Sequence, residues 1–205
     1  MKANYKNWVP KGMLQGLCAG SSGMAALALL SGIGRWPHPV LSYIFGTCAI
    51  ILLLIFLWML RMYRAFDYNG RRQLSRQVIE GIASYVKVPS GGSCLDVGCG
   101  SGALTIAAAR RNPSASVTGI DRWGKEYASF SQALCEENAR AEGVSNVKFS
   151  QGDALHLDFP DESFDAVTSN YVYHNISGVN KQDCLLETLR VLKKGGSFAI
   201  HDLMS

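Results

Sequence analysis

The stretch Cys94-Leu95-Asp96-Val97-Gly98-Cys99-Gly100-Ser101-Gly102-Ala103-Leu104 decides the fold. It reads as a short buried strand from Ser93 to Val97, a glycine loop, and a helix from about Ala103 to Arg111. Glycine reaches backbone angles closed to other residues and lets a ligand approach the main chain with no Cβ in the way. Such a loop is also expected to present free backbone N–H groups and the positive end of the helix.

Further strands are spaced from this one. Ala115 to Ile120 reads as a second strand ending in Asp121, about twenty residues beyond the glycines, an offset suited to the hydroxyls of a ribose. A third strand near Asn146 to Ser150 runs into Gly152-Asp153-Ala154, and a fourth covers Phe164 to Asn170. The ends of all four strands would lie on one edge of a parallel sheet, where open α/β folds bind ligands.

Asp96-Val97-Gly98-Cys99-Gly100-Ser101-Gly102, Gly119-Ile120-Asp121, Gly152-Asp153-Ala154, Phe159 to Asp165 and Leu192-Lys193-Lys194-Gly195-Gly196 occur in that order. Together they resemble the class I S-adenosylmethionine-dependent methyltransferases, in particular the small-molecule and quinone-methylating branch, over residues 70 to 205. The resemblance implies a Rossmann-like, doubly wound α/β sheet of order 3-2-1-4-5 and S-adenosyl-L-methionine as cofactor. It implies that Asp96 and the Gly98, Cys99, Gly100 and Gly102 loop hold the methionine portion. Asp121, with Arg122 and Trp123 beside it, would take the ribose and adenine edge, and Gly152, Asp153 and Ala154 would read the adenine. Asn170 would contact methionine and acceptor. His174 is a candidate general base, since its unperturbed pKa lies near neutrality; His201 and Asp202 end the fifth strand and could reach the same pocket.

The front of the chain differs in character. The protein is 48% hydrophobic over its 205 residues, and neither Met13 to Gly34 nor Val40 to Leu60 holds a charged side chain. Each run matches the roughly twenty residues that cross a bilayer. With the breakers of Ile33 to Pro39 between them, they read as a transmembrane hairpin (about 13–34 and 40–60) in an anchor covering 1–62. A juxtamembrane basic segment and covering helix follow over 63–92, the helix running from about Arg71 to Val86. The methyltransferase domain then occupies 93–205.

Lys2, Lys6 and Lys11 flank one end of the hairpin, and Arg61, Arg64, Arg71, Arg72 and Arg76 the other, against Arg35 alone in the connector. The positive-inside rule therefore expects an integral membrane protein with both termini and the domain in the cytoplasm. Trp36, Tyr43, Trp58 and Tyr63 suit aromatic belts at the two boundaries. Gly12, Gly16 and Gly20 share one helical face, suited to the second span or to a homodimer.

Six cysteines without a CxxC pair or histidine companion point to neither disulfide nor metal. Cys99 reads as small filler, Asp165 as structural and His156 as a loop residue. The net charge of +4 comes mainly from the juxtamembrane arginines, with no basic stripe for nucleic acid. After a fifth strand expected at Ser197 to Leu203, the resembled family continues with a helix and an antiparallel strand pair. The domain thus reads as shortened at its C-terminus, with an open edge where a second copy could pair.

The expected function is transfer of a methyl group to a small, apolar, bilayer-dissolved acceptor such as a lipid or quinone. Two alternatives stand beside it. One is a membrane scaffold or sensor that binds the cofactor without turnover. The other is an NAD-linked oxidoreductase, because Gly98, Gly100, Ala103 and Asp121 also fit a dinucleotide fingerprint.

Overall fold

The computed structural model describes residues 2–35, 40–124 and 129–203. Two compact units are present: one runs from Asn7 to Ser75, and the other joins the residues up to Lys6 with those from Arg76 onward.

The first unit is a pair of long helices. Helix α1 spans Lys11–Leu30 and passes into a π-helical turn, Ser31–Arg35, while α2 spans Val40–Phe66. Both are long and apolar enough to cross a membrane, and only 6% of each apolar window is buried. Leu29, Leu30, Ile50, Leu54, Leu57 and Trp58 all point outward. The helices meet through small residues: the Ser21 hydroxyl donates to the Ala49 carbonyl at 3.0 Å, and Ser31 and Ser42 share a hydrogen bond of 2.8 Å.

Of the three glycines expected to form one packing face, only Gly20 approaches α2, where a Cβ would stand 3.5 Å from Leu52. Gly12 and Gly16 have nothing within 4 Å, because α1 turns its serines and only the deeper glycine toward its neighbour. Helix α2 runs past Leu60 to Phe66, so Arg61 and Arg64 lie on its last turns, where cations complement the helix dipole. The connector residues 36–39, and with them the belt position assigned to Trp36, lie outside the described residues.

The second unit is a five-stranded parallel sheet of order β3-β2-β1-β4-β5. The strands are β1 Ser93–Val97, β2 Ser116–Asp121, β3 Val147–Gln151, β4 Phe164–Asn170 and β5 Leu192–His201. Helices α3 Leu74–Tyr85, α4 Ala103–Arg111, α5 Gln132–Glu142 and α6 Lys181–Arg190 cover it. Strand β1 is central, and Cys94 to Val97 are all buried, as a parallel strand covered on both faces requires. Leu95, Val97, Ile120, Phe164, Val167 and Val191 form the core beneath the strand ends.

Helix α3 begins three residues later than the periodicity suggests, and buries Ile79, Ile82 and Ala83. Glu80, on its other side, pairs with Arg110 and Arg111 at the end of α4. Strand β5 differs more. It starts at Leu192 and not Ser197, because the segment Lys193 to Gly196 bulges outward while Leu192 still pairs with Phe164. Gly196 permits the bulge, since a Cβ there would lie 2.7 Å from the Asp165 carbonyl. The strand ends at His201, which leaves Leu203 outside it and exposed. Asp165 is structural: it accepts hydrogen bonds from the Ser93 amide and the Lys193 ammonium, both at 2.8 Å, and those bonds hold its pKa below the ordinary value.

Candidate active site

The glycine loop sits at the C-terminal edge of β1, and its neighbours explain its composition. Gly98 has φ +73, and a Cβ there would strike Val172 at 2.2 Å, so the turn after β4 rests directly on the loop. Gly102 (φ +80) opens α4 against Phe149 and Cys135. Gly100 (φ +56) is different, because nothing lies within 4 Å of its would-be Cβ.

The loop's amides are mostly engaged within the domain, contrary to the free donors expected from the sequence. Gly98 and Cys99 both donate to the Ile120 carbonyl, at 2.8 and 2.9 Å, and Gly102 donates to Cys99. Gly100 donates to the Asp121 carboxylate at 2.8 Å. Parallel β1 and β2 bring Ile120 beside the loop, and its carbonyl is the nearest acceptor.

Asp121 closes a small ring. One of its oxygens holds Gly100, the other accepts from the Trp123 amide at 2.8 Å, and the Trp123 indole N–H returns to the Gly100 carbonyl at 3.0 Å. Trp123 takes φ +44 to do so. Each carboxylate oxygen keeps a second lone pair, so Asp121 can still accept hydroxyl donors beside the open space at Gly100. Arg122 adds only its carbonyl, which accepts from Gln151 at 3.4 Å.

Asp96 is the buried brace of the site. Its carboxylate, 1% exposed, accepts from the hydroxyls of Thr105 on α4 at 2.6 Å and Thr168 on β4 at 2.9 Å. Burial pushes its pKa up to about 7 against the lowering effect of both hydroxyls. Cys99 is buried, and that burial, with Cys135 and the carboxylates of Asp96 and Asp121 nearby, raises its thiol pKa well above the usual range. A filler role follows, since a reactive cysteine needs the thiolate.

At the next strand end, the Gly152 amide donates to the Asp121 carbonyl, and Gly152 leaves room for Ile120. Asp153 turns the chain by accepting from the Leu155 amide at 2.9 Å, and the Ala154 side chain enters the core. Asp121 and Asp153 are thus carried by adjacent strands on one edge.

The turn after β4 forms the opposite wall. Asn170 Oδ1 accepts from His201 Nδ1 at 3.1 Å, and the Tyr171 ring stands edge-on to both His174 and His201. Tyr171 has φ +56, a left-handed conformation held by its amide's bond to the His201 carbonyl. Tyr173 is fully buried and fixes the turn through its hydroxyl, 2.7 Å from Thr188. Asp202 accepts from the Val172 and Tyr173 amides and stands 2.6 Å from His174 Nδ1.

One part of the site had no readable signal in the sequence. Ala3 and Tyr5 are buried in this unit. Asn138 of α5 accepts from the Asn4 amide at 2.7 Å and donates to the carbonyls of Asn4 and Ser101. The Ser101 hydroxyl in turn donates to the Tyr5 carbonyl. A strap ahead of the first apolar helix is thereby fastened to the glycine loop.

Residues 89–204 match the family model described as a methyltransferase domain. The chain belongs to this methyltransferase family. The methyltransferase domain is 36% identical over 116 residues to the demethylmenaquinone methyltransferase of Lactobacillus johnsonii, covering 56% of this chain and 45% of that protein. It is 37% identical over 108 residues to the uncharacterized methyltransferase YcgJ of Bacillus subtilis (53% of this chain, 39% of that one). The crystal structure of YcgJ superposes with a TM-score of 0.51 over 61% of this chain and 50% of that one, at 30% identity. The [4+2]-cyclase SpnF gives 0.54 over 65% and 47%, at 31% identity. The methyltransferase thus spans about half the length of the curated relatives it matches.

The site suits S-adenosylmethionine in its donor and acceptor set. Asp121 and Asp153 carry carboxylate acceptors at adjacent strand ends, and Gly100 leaves the backbone beside Asp121 uncovered. The arrangement suits a diphosphate poorly, because Gly98, Cys99, Gly100 and Gly102 already donate within the domain.

Proposed function

We propose that this chain is a membrane-anchored methyltransferase that moves the methyl group of S-adenosylmethionine to a small, apolar acceptor such as a lipid or quinone. The observation that carries it is the pairing, in one chain, of the Asp121–Gly100 strand-end site with two outward-facing apolar helices. The demethylmenaquinone methyltransferases among the relatives favour a quinone-like acceptor.

The bound cofactor would supply an already activated methyl group on a sulfonium. The chain's own residues then need to orient the partners and exclude water. Asp121 and Asp153 hold the nucleoside end by accepting hydrogen bonds. Gly98, packed on Val172, fixes the distance between the loop and the turn that follows Asn170 and bears His174.

The proposed topology has two spans with both ends in the cytoplasm. Two features support it. The chain leaves the folded domain at Lys6 and returns to it at Arg76, so both ends of the helix pair serve one domain. Arg61, Arg64, Arg71 and Arg72 line one concavity at the end of α2, a cation cluster suited to the inner, anionic leaflet.

The test is to incubate detergent-extracted protein with methyl-labelled S-adenosylmethionine and two acceptor sets. One holds bilayer-dissolved quinols such as demethylmenaquinol, the other polar metabolites. Label in the apolar fraction is expected; label confined to the polar metabolites would overturn the acceptor class. A second reading is cofactor binding without methyl transfer; the likeness to SpnF, a [4+2]-cyclase, favours a fold of this kind put to another use. It expects S-adenosylhomocysteine binding with no label transferred to any acceptor.

A further inference from the structure

We propose that Arg61, Arg64, Arg71 and Arg72 form a binding site for the phosphomonoester headgroup of a membrane lipid, carried entirely by the helix-pair unit. The inference rests on the membrane-anchored reading for its source of ligand and is independent of methyl transfer.

The site is built by a reversal of the chain. Arg61 and Arg64 stand on the last turns of α2, and Arg71 and Arg72 follow beyond its end. Between them, Asp67 Oδ1 accepts from the Asn69 amide at 3.0 Å, and the Gly70 amide donates to the Asp67 carbonyl at 3.1 Å. A Cβ at Gly70 would stand 2.9 Å from Asp67, so the turn is tight. The Ser75 hydroxyl, on a residue 1% exposed, donates to the Phe66 carbonyl at 2.8 Å and fastens the returning segment to the helix end. At the same end, the Asn7 side-chain amide donates to the Tyr63 carbonyl at 2.8 Å, and the rings of Trp8 and Phe66 pack 5.4 Å apart.

The four arginines and buried Ala65 line one concavity of about 290 Å³, at the small end of ligand pockets. No carboxylate is among its lining residues, and among the described residues none pairs with Arg61, Arg64 or Arg71. The helix dipole accounts for cations at Arg61 and Arg64. It does not account for Arg71 and Arg72, which lie past the helix and are folded back toward like charges. Bringing these cations together costs repulsion unless an anion lies among them. Guanidinium forks match phosphate oxygens in pairs, and a phosphomonoester carries about two negative charges at neutral pH, against the single charge of a phosphodiester.

A stripe on α2 favours a lipid over free phosphate. Ile50, Leu54, Leu57, Arg61 and Arg64 recur at alternating spacings of four and three, which places them on one helical face. Ile50, Leu54 and Leu57 are 61%, 61% and 46% exposed, so α1 leaves this face uncovered. An apolar stripe that runs directly into a cation cluster fits an amphiphile, with its chain along Ile50, Leu54 and Leu57 and its phosphate among the arginines.

Full-length protein in a neutral detergent is titrated calorimetrically with dihexanoyl phosphatidate below its micelle concentration, with dihexanoyl phosphatidylglycerol, and with inorganic phosphate. Phosphatidate is expected to bind about tenfold tighter than either of the others. Arg64→Gln and Arg71→Gln should each weaken it about tenfold, the worth of a charge-assisted hydrogen bond, and Arg71→Lys should recover part of the loss. Lys11→Gln removes a charge from the other helix of the pair, outside the concavity, and should leave the affinity unchanged. Thermal melts establish that each variant is folded. No binding of phosphatidate, equal binding of phosphatidylglycerol, or an equal loss in Lys11→Gln would reduce the cluster to a diffuse basic flank and overturn the site. Inorganic phosphate binding as tightly as phosphatidate would overturn the lipid source. Alkaline carbonate extraction of vesicle-reconstituted protein runs alongside: release would strike the membrane-anchored reading, whereas retention without headgroup preference would strike the site alone.

Discussion

The hydroxyl of Ser101, between two glycines of the loop, donates to the carbonyl of Tyr5, 3.0 Å away in space and 96 positions earlier in the chain. Asn138 completes the clasp by binding Asn4 at both its amide and its carbonyl. The segment ahead of the first apolar helix is thus part of the wall of the cofactor loop.

Asn138→Ala removes three hydrogen bonds at a position that is 2% exposed and leaves the Ser101 carbonyl without that donor. The expected cost is about 2 kcal/mol, read as a lowered denaturation midpoint of the detergent-solubilised chain. S-adenosylhomocysteine affinity should fall with it, because the strap and the loop share the same clasp. Unchanged stability and affinity would mean that the strap is incidental.

Gly98→Ala meets two obstacles together, a left-handed backbone angle of +73° and Val172 at 2.2 Å. The strain and the forced shift together are expected to cost about 2 kcal/mol or more. They should also displace the turn that bears His174, so ligand affinity should drop further than global stability. A differential melt with and without S-adenosylhomocysteine separates the two effects.

Asp96 gives the domain a pH signature. Burial holds its folded pKa at about 7, above the ordinary aspartate value near 3.8, so the folded state holds the extra proton between those limits. The contribution is fully favourable below the unfolded pKa and is lost as pH rises toward and through 7. Urea midpoints are therefore expected to decline from pH 5 to pH 8 more steeply in the wild type than in Asp96→Asn. Parallel slopes would show that Asp96 ionises as it does in the unfolded chain.

Much of the scaffold was readable because its signals are local. The run Cys94 to Val97 reads as a covered strand, and the uncharged stretches on either side of the Ile33 to Pro39 connector read as long apolar helices. Helices α5 and α6 were not legible. Cys135, Asn138 and Ala139 are the residues α5 buries, and Cys184 and Thr188 those of α6, so neither has a periodic stripe of large apolar side chains. The early start of β5 was hidden by Lys193 to Gly196, which look like a turn and are in fact a bulge.

Within the site, Asp121 was a candidate by its spacing and Asp153 and His174 were candidates by the family resemblance, but the partners of all three could not be read. That Asp121 holds Gly100, that Asp96 braces Thr105 and Thr168, and that Asp202 backs His174 all depend on which strands become neighbours. The Asn4–Tyr5 strap lay furthest from reach, since nothing local to Lys2 to Lys6 records a contact with Ser101 and Asn138.

The central claim is most directly tested by calorimetric titration of the detergent-purified chain with S-adenosylhomocysteine, beside an Asp121→Ala variant and a parallel NAD titration. Micromolar binding of S-adenosylhomocysteine, lost in Asp121→Ala and absent for NAD, is the expected result. Binding of NAD by folded protein, with no heat from S-adenosylhomocysteine, would contradict it.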